Sequence, residues 1–135
     1  MGFPNTDNCI TIFSDGVAAI PAFTAVRMTA AATAAVPGVG DSILGIAQQG
    51  VALGDTTTPI NVCITGITHA LAGAAITNIL GSQPLMVEAA TGRLVTFVAA
   101  GGNTHCANYI PMPADDDAAD GDVMRVQLVN NPLLT

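Results

Sequence analysis

The 135 residues carry ten acidic side chains against three arginines and no lysine, a formal net charge of -7. A surface of that sign repels a phosphate backbone, so nucleic acid is excluded as the expected partner. Half of the residues are hydrophobic, but only 4% are aromatic and 10% are charged, against roughly a quarter charged in ordinary soluble domains. A surface so poor in ions suits burial against partner proteins, and the scarcity of rings leaves few anchors for a ligand.

The length fits one domain with a core that needs neither metal nor disulfide staples. The first eight residues, Met1-Gly2-Phe3-Pro4-Asn5-Thr6-Asp7-Asn8, lack a basic region followed by an apolar run, so a cleavable secretory signal is not expected. Gly2 with Thr6 satisfies the bare myristoylation pattern, which short sequences match often by chance. The expected structure is an extended arm over residues 1–9, reaching about 25 Å for eight residues at ~3.3 Å each.

Ile10 to Phe13 alternates and stops at Ser14-Asp15-Gly16, a short strand and its turn. Ile20, Ala22, Thr24, Val26 and Met28 then fall on one face of an extended segment. Thr29 to Val36, almost pure Ala and Thr before Pro37-Gly38, predicts an irregular connection or a small helix. Three Gly-Asp pairs follow at Gly40-Asp41, Gly54-Asp55 and Gly121-Asp122, each leading into an apolar stretch. Gly supplies a positive φ and Asp bonds back to nearby amides, so each pair predicts a tight turn that opens a strand.

Ile43 to Ala47 reads as a compact strand, and Ile60, Val62 and Ile64 alternate with polar residues in the next. Ile67 to Leu80 is ambiguous: Leu71, Ala74, Ala75 and Asn78 share a helical face, whereas Gly73 and the threonines favour broken strands. Leu85 to Glu88 and Leu94 to Val98 flank Thr91-Gly92, a hairpin signature. Val123 to Val129 puts Met124, Val126 and Leu128 on one face and Arg125 and Gln127 on the other. About eight to ten short strands result, which predicts an all-β domain over residues 10–130, a small barrel or sandwich, with 131–135 as a tail. The most apolar stretches, Val17 to Val36 and Ile67 to Leu80, are interrupted by Pro21, Arg27, His69 and Asn78, so no membrane span is expected.

Reactive groups are sparse. Gly40-Asp41-Ser42-Ile43-Leu44 matches the nucleophile block of GDSL esterases, but that chemistry needs an Asp two residues before a late His, which neither His69 nor His105 has; Ser42 is expected to be a turn residue and the chain not to be an enzyme. Cys9, Cys63 and Cys106 are odd in number with no close pair, which argues against an internal disulfide framework and for buried small hydrophobes. His105-Cys106 in a strand would point to opposite faces, so a shared site would require a loop, and His69 is expected in a turn or an interface. Asp115, Asp116, Asp117, Asp120 and Asp122 gather carboxylates, but Ala118 and Gln127 break the EF-hand spacing, so a solvated turn without metal is expected. Gly38-Val39-Gly40 lacks the third Gly of a dinucleotide loop, and no cofactor is expected.

The order of Gly45-Ile46-Ala47, Gly54-Asp55 leading to Ile60 through Ile67, Glu88 through Leu94, and Ala118 through Leu128 resembles the small β-barrel decoration, or cement, proteins of tailed-phage capsids. The resemblance spans about residues 10 to 130, with longer segments at Thr29 to Gly38 and Gly101 to Asp117. It implies a non-enzymatic virion protein, assembled in the host cytoplasm, that sits as a homo-oligomer, commonly a trimer, on the capsid exterior and bridges subunits of the major capsid protein. The expected contacts are Gly2, Phe3, Pro4 and Asn5 in the arm, with Leu133 and Leu134 in the tail. The competing reading is a tail or fibre module that binds receptors or glycans; Tyr109 as the sole Tyr and the absence of Trp weigh against it.

Overall fold

Residues 9–30, 33–38, 40–77, 83–88, 91–110 and 117–129 are described here, from a computed structural model. They form ten short strands and no helix: β1 Cys9–Ser14, β2 Ala25–Ala30, β3 Thr33–Ala35, β4 Gly45–Ala47, β5 Ile60–Cys63, β6 Ile67–Leu71, β7 Gln83–Val87, β8 Leu94–Thr96, β9 Ala107–Tyr109 and β10 Val123–Leu128. The all-β expectation is met. The first five strands close a barrel in the order β1-β3-β2-β4-β5, and the other five form a sheet in the order β6-β10-β9-β7-β8. A parallel bridge between Ala72 and Leu94 brings the two edges of that sheet together.

The three Gly-Asp turns are where the sequence places them. Gly40, Gly54 and Gly121 have φ of 65°, 84° and 87°, a region that costs other residues steric strain. Each aspartate then caps a neighbouring amide: Asp41 Oδ2 accepts from Gly38 N–H at 2.7 Å, Asp55 Oδ1 from Thr57 and Thr58 N–H at 3.0 Å, and Asp122 Oδ2 from Ala119 N–H at 2.9 Å. β4, β5 and β10 follow. In β10, Met124, Val126 and Leu128 are buried as the alternation predicts. β7 and β8 pair antiparallel from Val87↔Leu94, confirming the hairpin around Thr91-Gly92.

Two cores share one wall. Val26 and Ala47 face the barrel interior with Ile12, Ile20, Leu44, Ile60 and Val62, while their neighbours Ala25 and Ile46 face the sheet with Leu85, Val87, Leu94 and Val126. Successive strand residues point to opposite faces, so β4 is buried along its whole length. Small residues suit this wall: a Cβ on Gly45 would strike the carbonyl oxygen of Cys63 across the ladder.

Three expectations are corrected. The described residues of Thr29 to Val36 form no helix; β2 runs to Ala30 with a shift of register between Met28 and Ala30, and β3 runs from Thr33 to Ala35, antiparallel to β2 and parallel to β1. Ala34 is fully buried between those partners, and the ladder outweighs the helix preference of alanine. The extended segment from Ile20 to Met28 is broken at Phe23, whose φ of 64° is the sole positive value outside glycine among the described residues. Finally, Cys9 and Cys63 are joined in a disulfide. They lie 54 residues apart, but the β1–β5 register sets them directly opposite. The ambiguous stretch after Ile67 resolves into β6 followed by single bridges at Ala72 and Ile76.

Candidate functional site

The predicted contacts Gly2, Phe3, Pro4, Asn5, Leu133 and Leu134 lie outside the described residues. Cys9, placed at the end of the predicted arm, instead opens β1 and is tied to β5 through its sulfur. The chain therefore enters the barrel at a covalently fixed rung.

The residues with chemical potential are dispersed and engaged. Ser42 follows the Gly40-Asp41 turn with its hydroxyl 3.5 Å from that of Thr104. His105 turns Nε2 to Asn108 Oδ1 at 2.9 Å and leans on Phe97, ring centroids 5.7 Å apart. Its neighbour Cys106 points the other way, 5% exposed, with the thiol donating weakly to the Leu85 carbonyl at 3.6 Å. Burial pushes that thiol up to about 12, which removes the nucleophilic thiolate at neutral pH. Burial of Cys106 is as expected, although His105 and Cys106 precede β9 rather than lying in a strand. His69 is not in a turn; it is an exposed residue of β6, edge-on to Phe23 at 6.3 Å.

Of the acidic cluster, Asp117, Asp120 and Asp122 are described and exposed. Asp120 meets Arg93 at 3.6 Å, tying the 119–122 turn to the β7–β8 hairpin, and Asp122 is the amide cap already noted. Among the described residues no group of three or more His, Cys, Asp or Glu is placed to hold a metal, and no helix is long and apolar enough to cross a membrane.

The surface is more informative than the interior. Val17 and Leu53 are 77% and 68% exposed, on loops joined by the Gly54 N–H donating to the Gly16 carbonyl at 3.1 Å. The aspartates beside them bond to local amides, Asp15 Oδ1 accepting from Val17 N–H and Asp55 Oδ1 from Thr57 and Thr58 N–H. Ile67, Val98 and Val123 are also more than half exposed. Val17 and Leu53 gave no signal in the sequence, because an isolated apolar side chain in a turn carries no pattern.

These features define an all-β domain in which a closed barrel and a five-stranded sheet share a wall. No protein-family model matches the chain, and no curated protein does. Among solved structures it is similar to the head fiber gp8.5 N base in bacteriophage phi29, with a TM-score of 0.66 and 14% identity over 91% of this chain and 94% of that one. At that identity the likeness establishes the fold.

Proposed function

We propose that this chain is a structural protein of a phage head, a decoration or cement module that attaches to the capsid exterior and bridges subunits of the major capsid protein. The carrying observation is that the fold likeness to a head-fibre base spans nearly the whole of both chains. The motif order resembling capsid decoration proteins supports the same reading, as do a chain with only 10% charged residues and several exposed aliphatic side chains.

A cement protein stabilises the shell by binding the assembled lattice better than loose coat protein, so its binding energy adds by mass action. Several modest contacts on one homo-oligomer, a trimer in this reading, give an avidity none gives alone. Gly2, Phe3, Pro4, Asn5, Leu133 and Leu134 remain the proposed contact residues, assembly occurs in the host cytoplasm, and neither nucleic acid nor membrane is a partner. The receptor-binding alternative is less well supported: Tyr109, the one tyrosine, is 3% exposed and offers no platform to a sugar.

The test is co-sedimentation of the purified chain with empty expanded heads, alongside light scattering of the chain alone. Saturable binding by a discrete trimer is expected. A monomer that stays in the supernatant at every concentration overturns the reading.

A further inference from the structure

The disulfide sits at a mechanically particular place. β1 pairs with β5 through Cys9↔Cys63, Ile10↔Val62, Thr11↔Asn61 and Ile12↔Ile60. Cys9 is thus the first rung reached by any load entering from residues 1–8, and β1 is the strand that such a load would peel. An antiparallel ladder pulled from one end opens rung by rung, each rung resisting alone; a covalent bond at the first rung transfers the load to β5 and the barrel. The strands do not need the bond to find each other, because Ile12, Ile60 and Val62 are fully buried in the barrel core beneath the same ladder.

We propose that Cys9–Cys63 is a late-forming staple: the domain folds with both thiols reduced and is locked at the root of its N-terminal segment once it meets an oxidising medium. The compartment sequence rests on the virion reading above, since cytoplasmic thiols are kept reduced and extracellular ones are not. The step is thiol–disulfide exchange with a low-molecular-weight disulfide such as oxidised glutathione. The thiolate of one cysteine attacks a sulfur of that disulfide and expels one glutathione thiolate. The thiolate of the other then attacks the mixed disulfide, forming Cys9–Cys63 and expelling the second. Two electrons and two protons pass to glutathione.

Two further observations fit. Both sulfur-bearing residues are half-buried, within reach of a small oxidant. The third cysteine, Cys106, belongs to the other core and lacks an accessible thiolate, so the exchange has one product and no shuffled isomers.

The 135-residue chain, purified in reduced glutathione and then moved to oxidised glutathione, tests this directly by thiol counting, thermal melting and amide hydrogen exchange. The reduced chain is expected to be folded, to lose two of its three thiols on oxidation, and to gain on the order of 10 °C in melting temperature. Exchange at the Ile10 to Phe13 amides should slow at least about tenfold more than at Met124 to Leu128 in the distant sheet. A C9S/C63S double variant should match the reduced wild type. A reduced chain that is unfolded, thiols that do not oxidise, or equal slowing in β1 and β10 would each overturn the proposal. None of these readouts involves capsids, so failure to bind heads would leave the result standing.

Discussion

The carbonyl of Phe23 accepts the Leu71 N–H at 2.8 Å, and this bond joins the barrel to the sheet. Phe23 also donates its own N–H to the Ala47 carbonyl at 2.7 Å, so one residue in the left-handed region links β4 to β6. The strain of such a backbone, of order 1–3 kcal/mol, persists because both bonds over-determine it. Phe23→Pro removes the donor and forces φ to about −65°, so a loss of roughly 3 kcal/mol or more is expected. Phe23→Gly relieves the strain while giving up the ring against His69, and a net change within about 1 kcal/mol is expected. Urea denaturation of the two variants checks the contrast.

Gly45 shows a different constraint. Its φ is ordinary, but an added Cβ would meet the Cys63 carbonyl oxygen and a methyl of Val62. Both are fixed in the β4–β5 ladder, where Ile46 pairs Cys63 and Ala47 pairs Val62. Gly45→Ala should therefore cost about 1–3 kcal/mol by overpacking, although alanine is no worse a strand residue than glycine. A melting curve measures it, and an unchanged midpoint would show that the ladder yields easily.

What the sequence made legible is what local chemistry determines. The Gly-Asp turns were readable because a positive φ and an Asx cap are set by two adjacent residues, and β10 because its alternation needs one buried face. The β2–β3 hairpin was hidden, since Ala and Thr carry no period and Ala34 is buried only through partners distant in sequence. The Cys9–Cys63 pair was hidden for the same reason: spacing along the chain says nothing about register between β1 and β5. Phe23 gave no signal at all, because an aromatic residue at positive φ is imposed by the bonds to Ala47 and Leu71. The contacts placed on Gly2 to Asn5 and on Leu133 and Leu134 rest on the reach of an extended arm and on apolar termini rather than on periodicity, and they lie outside the described residues.

Asp55 predicts an acid-sensitive turn. The Thr58 hydroxyl, 2.6 Å from Oδ2, and the amides of Thr57 and Thr58 hold its carboxyl below the ordinary 3.8. A depressed folded-state value means that the stabilisation is present above pH 3.8 and is lost as pH falls through the lower folded value. Asp55→Asn keeps an acceptor for the amides but does not titrate, so it should flatten stability against pH in that acid range. The comparison is a series of urea midpoints from pH 5 downward in wild type and variant. Parallel curves would assign the acid sensitivity elsewhere.

Cys106 predicts the opposite limb. Burial raises its thiol from 9.0 to about 12, because the folded protein offers the thiolate no solvent. The unfolded chain ionises near 9, so the contribution is fully present below that pH and is lost progressively as pH rises toward 12. Cys106→Ala removes the titrating group and should weaken the alkaline loss between those limits, at the cost of a small cavity beside Leu85. The same burial makes the thiol inert in the native state. With Cys9 and Cys63 oxidised, an alkylating reagent at pH 8 should leave the folded chain unmodified and add one label in denaturant, as read by mass spectrometry. Labelling of the native protein at the rate of a free thiol would mean that the core around Leu85 and Ala107 opens far more often than its burial implies.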